Sequence, residues 1–177
     1  GFRELLIRWF QWGAFCPVMR LHGDRKPTTP LTGKDGRSAL FTGGDNEVWS
    51  FGDTAYEILV KFLHLREAMR DYIRQIMKEA HEKGTPVMRA MFYAFPQDPP
   101  CWDLSDQYMF GPDVLVAPIT EKGAVSRAVY LPAGASWTEL SGGETYSGGQ
   151  VIQADAPLCV MPVYLKNGAH REWIGRI

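Results

Sequence analysis

The stretch FCPVMRLHGDR, residues 15–25, runs from apolar residues into Arg20, His22, Asp24 and Arg25 around a glycine. Polar chemistry packed onto the end of an apolar run suits a strand whose last residues face a substrate. The alternative is a strand that merely surfaces, with His22 a satisfied structural histidine. Glycoside hydrolysis would need two carboxyl groups flanking the scissile bond, about 5–5.5 Å apart when configuration is retained. Asp24, Asp45, Glu47, Asp98, Asp103 and Asp106 could serve in principle, and no pair among them has a distinguishing local context. Trp49 and Trp102 could stack on a sugar ring; core packing is the rival role, and the one expected of Trp9, Trp12 and Trp137. Arg89 stands alone in an apolar run, so a carboxylate partner is expected, with direct sugar contact as the alternative.

Other chemistries find little support. The GxSxG elbow of acyl transfer is absent, and His22, His64, His81 and His170 are scattered. GKDG and TGGD are glycine-containing turns that match neither phosphate-loop pattern. Cys16, Cys101 and Cys159 are widely spaced and set among apolar residues, so they read as small buried hydrophobes, with neither disulfides nor a metal cluster indicated. No cofactor is implied. With 19 basic and 20 acidic residues the net charge is −1, which gives no footprint for nucleic acid. No apolar run approaches the roughly 20 residues of a membrane-spanning helix.

The elements that must position these residues fall into two parts. Leu5, Leu6, Trp9 and Phe10 recur at helical spacing up to Gly13. AFCPVM then reads as a short buried strand, and the Gly- and Pro-rich stretch 23–51 as a long loop of the functional kind. Thr54 and Glu57 have capping-box spacing at the head of one long helix that exits at Lys83, Gly84 and Pro86. VMRAMFYAF is a second buried strand, so the order fits βα units of a parallel sheet, with His22 at a carboxyl strand end. Beyond Asp98, short β-type runs alternate with turns at Pro132, Ser141, Ser147 and Lys166, predicting an antiparallel sandwich or barrel. A closed (β/α)8 barrel takes about 250 residues, so the first part holds only two or three of its units. The start on Gly1, directly on a helical pattern, predicts that the chain was cut from a longer one.

The segments RWFQWGAFCPVMRLHG, GTPVMRAMFYAFPQD, DQYMFGPDVLVAPI, VYLPAGASWTEL and PLCVMPVYLKNGA occur in the order and spacing of glycoside hydrolase family 31. The chain resembles that family throughout, and most of all its bacterial α-xylosidases. The resemblance implies an α/β plus β architecture, the last units of a (β/α)8 TIM barrel followed by an antiparallel β-sandwich. Residues 1–112 would carry barrel strands seven and eight with their helices, and 113–177 the proximal C-terminal sandwich. It implies a retaining, exo-acting α-glycosidase whose aspartate nucleophile and acid/base lie upstream of Gly1, so the chain alone would be inactive. It also implies that His22 binds hydroxyls of the sugar being cleaved, with Arg20 and Trp49 as further substrate contacts. The implied partner is an α-linked xylose- or glucose-containing oligosaccharide. Homo-oligomerisation of the full-length enzyme and a cytoplasmic or secreted location are both compatible with this reading. A non-catalytic carbohydrate-binding or scaffold module, an α-glucosidase fragment and a half-enzyme completed by a partner chain are the alternatives.

Overall fold

Helix α1 spans Phe2–Gly13 and ends where the glycine predicts. It buries Ile7 and Phe10 together with two polar side chains, Arg8 and Gln11, while Leu5 and Trp9 face outward. Trp9 is therefore not the core residue its periodicity suggests. The computed structural model describes residues 2–22, 25–26, 31–37, 39–40 and 42–177; Gly23 and Asp24 of the opening motif lie outside the described residues.

The expected strand after α1 does not form. Residues 14–22 run through turns and irregular backbone, and Val18 is 77% exposed. A strand covered on both faces needs hydrogen-bonded neighbours, and among the described residues no strand pairs with this stretch. The following loop carries a two-residue antiparallel ladder, β1 (Leu31–Thr32) with β2 (Ala39–Leu40), and a 3-10 turn at Val48–Phe51.

The predicted long helix is two, α2 (Asp53–Ala68) and α3 (Arg70–Lys83). They meet at the fully buried Met69, whose ψ of 0° departs from helical geometry while its amide still bonds Leu65 O at 2.9 Å. The capping box is not made: Gly52 (φ 90°) is the N-cap and no side chain caps it, so Thr54 already lies inside the helix. The exit is as expected, with Gly84 left-handed (φ 69°).

The second predicted parallel strand shrinks to β3 (Met88–Ala90), followed at once by the short helix α4 (Met91–Ala94). β3 pairs antiparallel with β4 (Tyr108–Phe110) and so joins the C-terminal sheet. With β5 (Val114–Val116), β6 (Ser126–Leu131), β7 (Ser136–Glu139), β8 (Thr145–Ser147), β9 (Gln150–Asp155) and β10 (Val163–Lys166), the order of the main sheet is β3-β4-β5-β10-β7-β8, antiparallel throughout; β6 and β9 form a separate pair.

Alternate side chains of the main sheet divide between two cores. Phe110, Val114, Val116, Val163 and Leu165 pack with Phe62, Leu65 and Ile76 of the helices, whereas Met109, Leu115, Trp137 and Tyr164 pack with Val129 and Leu131 of β6. The result is three layers: helices, main sheet, outer pair. Being covered on both faces makes β5 wholly apolar, which is why VLV reads as a continuous run. The buried Gln107 ties the layers, donating to Tyr130 O (2.7 Å) while its Oε1 accepts from Tyr130 N (3.0 Å). At Gly111 (φ 66°) a Cβ would lie 2.2 Å from Tyr72 Oη, so only glycine fits beneath α3.

Arg8 fastens α1 to the sandwich. Its guanidinium donates to Val160 O and Ala156 O at 2.7 Å each and to Gln11 Oε1 at 3.1 Å, and Gln11 in turn donates to Leu158 O at 2.8 Å.

Candidate functional site

The segment bearing Arg20 and His22 leaves α1 through the turns at residues 14–17 and runs along the surface, with both side chains exposed. Arg20 borders a hollow of about 260 Å³ formed with Leu6, Trp9, Phe10 and Met19. The main-chain oxygen of His22 accepts from the Asn46 side chain. Three residues on, Arg25 O accepts from Gly44 N at 2.8 Å, and the Arg25 guanidinium donates to Asp45 O while lying 4.8 Å from the Phe51 ring centroid. These bonds bring the end of the opening motif against residues 44–46, the approach to the turn that carries Trp49. Trp49 itself is 68% exposed, so its ring is free of the core.

Glu47 stands at the N-terminal end of that turn. Its carboxylate accepts from Ser50 Oγ and Asn46 N, both at 3.1 Å. Bonds from its own main-chain amide, then from Ser50, hold its carboxyl below the usual range. It is thus an anionic structural group at neutral pH.

Two of the other candidate carboxylates are engaged elsewhere. Asp98 accepts from Tyr130 Oη (2.9 Å) and Ala133 N (2.8 Å), and Asp106 pairs with Arg127 at 2.5 Å. Both therefore hold loops of the sandwich. Burial, then the neighbouring Asp98, pushes the Cys101 thiol up to about 12, consistent with a buried, inert thiol. Cys16 is half-buried and Cys159 exposed, so burial holds fully for Cys101 alone of the three. Arg89 does find a carboxylate, Glu79 of α3 at 3.3 Å, and also donates to Pro86 O at 2.8 Å. Trp102 is exposed but stacks on Phe92 (5.6 Å, 24°) and donates to Pro96 O, while Trp137 is fully buried.

A larger groove of about 910 Å³ opens between α1 and β3, lined among others by Trp9, Trp12, Arg89, Phe92 and Trp102. Three residues that bond the main chain between Ala14 and His22 were invisible in the sequence: Asn46, Arg66 and Tyr108. Each acts on main-chain atoms distant in the chain, for which no local pattern exists.

Two family profiles match in succession, the Glycosyl hydrolases family 31 TIM-barrel domain over residues 1–76 and the Glycosyl hydrolase family 31 C-terminal domain over residues 84–169. The chain belongs to glycoside hydrolase family 31. Within family 31 it is similar to the solved α-xylosidase from a soil metagenome complexed with xylose, with 47% identity and a TM-score of 0.87 over 98% of this chain and 26% of that one. It is 29% identical to the α-xylosidase of Saccharolobus solfataricus (99% of this chain, 22% of that protein). It is 34% identical to α-glucosidase 2 of Bacillus thermoamyloliquefaciens (94% and 19%). The chain thus spans about a fifth of the length of these two curated relatives. The family 31 match spans both parts of the fold: α1, α2 and the first half of α3 fall under the barrel profile, and the antiparallel sheet under the C-terminal profile.

Proposed function

We propose that these residues are the C-terminal part of a retaining, exo-acting α-xylosidase. The observation that carries the reading is the 47% identity, over nearly the whole chain, to an α-xylosidase solved with xylose. In this reading residues 1–112 carry the end of the catalytic barrel and 113–177 the proximal C-terminal sandwich. Two aspartates on preceding barrel strands perform the chemistry. One attacks the anomeric carbon as the other protonates the departing oxygen; the second then takes a proton from the water that releases the sugar. His22 hydrogen-bonds hydroxyls of the bound sugar, Arg20 lies beside it, and Trp49 offers an aromatic face to the glycan.

The exposed apolar side chains of α1, Phe2, Leu5 and Trp9, support this reading, because a helix apolar on that side is suited to cover from further barrel units. Cleavage of an α-glucoside is the second reading, favoured by the 34% identity to an α-glucosidase.

Assays of the full-length protein on aryl α-xyloside and aryl α-glucoside separate the two. The xyloside is expected to give the higher kcat/KM, and the reverse order would transfer the assignment to glucose. His22→Ala is expected to lower kcat/KM tens to thousands of fold, about 2–4 kcal/mol. A loss below about threefold would make His22 structural. The 177 residues alone are expected to show no turnover, and turnover abolished by replacing one of their own aspartates would sink the reading. Saturable oligosaccharide binding by the chain alone, seen by calorimetry, would point to a carbohydrate-binding module.

A further inference from the structure

Residues 14–17 join α1 to the Arg20–His22 segment outside any sheet, yet every polar main-chain group in them is engaged. The amides of Ala14, Phe15 and Cys16 bond back to Phe10 O, Trp12 O and Gly13 O at 3.0, 2.9 and 3.1 Å, and Pro17 has no N–H to satisfy. All four carbonyls accept from side chains remote in the chain. Arg66 of α2 donates from Nη1 to Ala14 O (2.7 Å) and Cys16 O (2.8 Å), and from Nη2 to Pro17 O (3.1 Å). Tyr108 of β4 donates from Oη to Phe15 O at 2.9 Å.

Among the described residues Arg66 takes part in no ion pair with a carboxylate, although the desolvation of its half-buried guanidinium opposes its charge. A half-buried cation devoted to three carbonyls of an irregular turn makes sense if the direction in which the chain leaves that turn matters. What leaves it is the segment 18–22, pinned at its far end where His22 O meets Asn46.

We infer that Arg66 is a positioning residue: with Tyr108 as its second arm, it clamps the carbonyls of Ala14–Pro17 and so sets where His22 meets the sugar. The inference rests on the reading of His22 as a sugar ligand. The planar fork is essential, since a lysine ammonium has no fixed geometry spanning three carbonyls.

The test is a set of variants of the full-length protein: Arg66→Met, Arg66→Lys, Tyr108→Phe, His22→Ala and the Arg66→Met/His22→Ala double, assayed for kcat/KM with thermal midpoints in parallel. Arg66→Met is expected to lose on the order of tens of fold, Arg66→Lys to recover little, and Tyr108→Phe, the milder variant should Arg66→Met fold poorly, to lose several fold. Because the clamp acts through His22, each clamp loss should vanish in the His22→Ala background, leaving the double within about threefold of His22→Ala alone. Losses that multiply instead, with His22→Ala impaired, overturn the inference and leave the sugar-binding reading intact. A His22→Ala variant as active as the parent overturns both. Tryptic cleavage after Arg20 provides a readout independent of activity: it should be at least about tenfold faster in Arg66→Met than in the parent, and an unchanged rate rejects the clamp.

Discussion

The main sheet and the stretch from Ala14 to Phe51 are built in opposite ways. In the sheet each strand is held by its neighbours and the central ones are covered on both faces, so position follows from repetition: the alternation that sends Leu115 to one core sends Val114 and Val116 to the other. Among its described residues the Ala14–Phe51 stretch has only the two-residue β1–β2 ladder and is placed by single bonds from side chains, from Arg66 and Tyr108 outside it and from Asn46 within it. A region organised by repetition spreads each loss over many contacts. A region organised by single bonds can present exposed side chains such as His22 and Trp49 to a ligand, and it depends on a few residues to do so.

The two kinds of construction can be set against each other with one residue type. Trp137 is fully buried between the sheets and donates to Pro132 O at 2.9 Å, so Trp137→Ala is expected to cost about 3–5 kcal/mol in denaturant unfolding. A cost below about 1 kcal/mol would mean the sandwich core does not depend on it. Gly111→Ala comes next. Its methyl would meet Tyr72 Oη at 2.2 Å in a left-handed residue, and a destabilisation of about 2–4 kcal/mol is expected by the same measurement. Trp49→Ala should show the reverse pattern, a stability change within about 0.5 kcal/mol and a several-fold rise in KM, about 1 kcal/mol, on oligosaccharide substrates of the full-length protein. Destabilisation comparable to that of Trp137→Ala would erase the contrast between the regions.

The smallest effect concerns pH. The carboxyl of Glu47 is held below its ordinary value in the folded turn, so its contribution is complete above the ordinary carboxylate range and is lost as pH falls through the depressed value. Fluorescence of Trp49, read against a Trp49→Phe control, is expected to shift only at acid pH, and Glu47→Gln should abolish that transition. A transition that survives Glu47→Gln would assign it to another group.

Much of the helical and turn grammar was legible in the chain. Gly84 ends α3 in a left-handed conformation that glycine tolerates, α1 stops at Gly13, and the turns at Pro132, Ser141 and Ser147 fall between strands while that at Lys166 follows the last one. The break at Met69 was not legible, since a buried methionine gives no local signal. Nor was the outcome for the two apolar runs expected as parallel strands, whose composition states only that cover is wanted. VMRAMFYAF finds an antiparallel partner in β4 for three residues, and FCPVMRLH finds none among the described residues.

By itself the sequence determined the helix exit at Gly84 and the turns between the later strands, because these depend on side-chain type and short spacing, and its resemblance to family 31 supplied the candidate residues His22, Arg20 and Trp49. Only the tertiary structure decided what holds them. Arg66 meets the carbonyl of Pro17 across 49 residues and Tyr108 meets that of Phe15 across 93, and bonds to main-chain atoms leave no mark on the identity of the residue that accepts them.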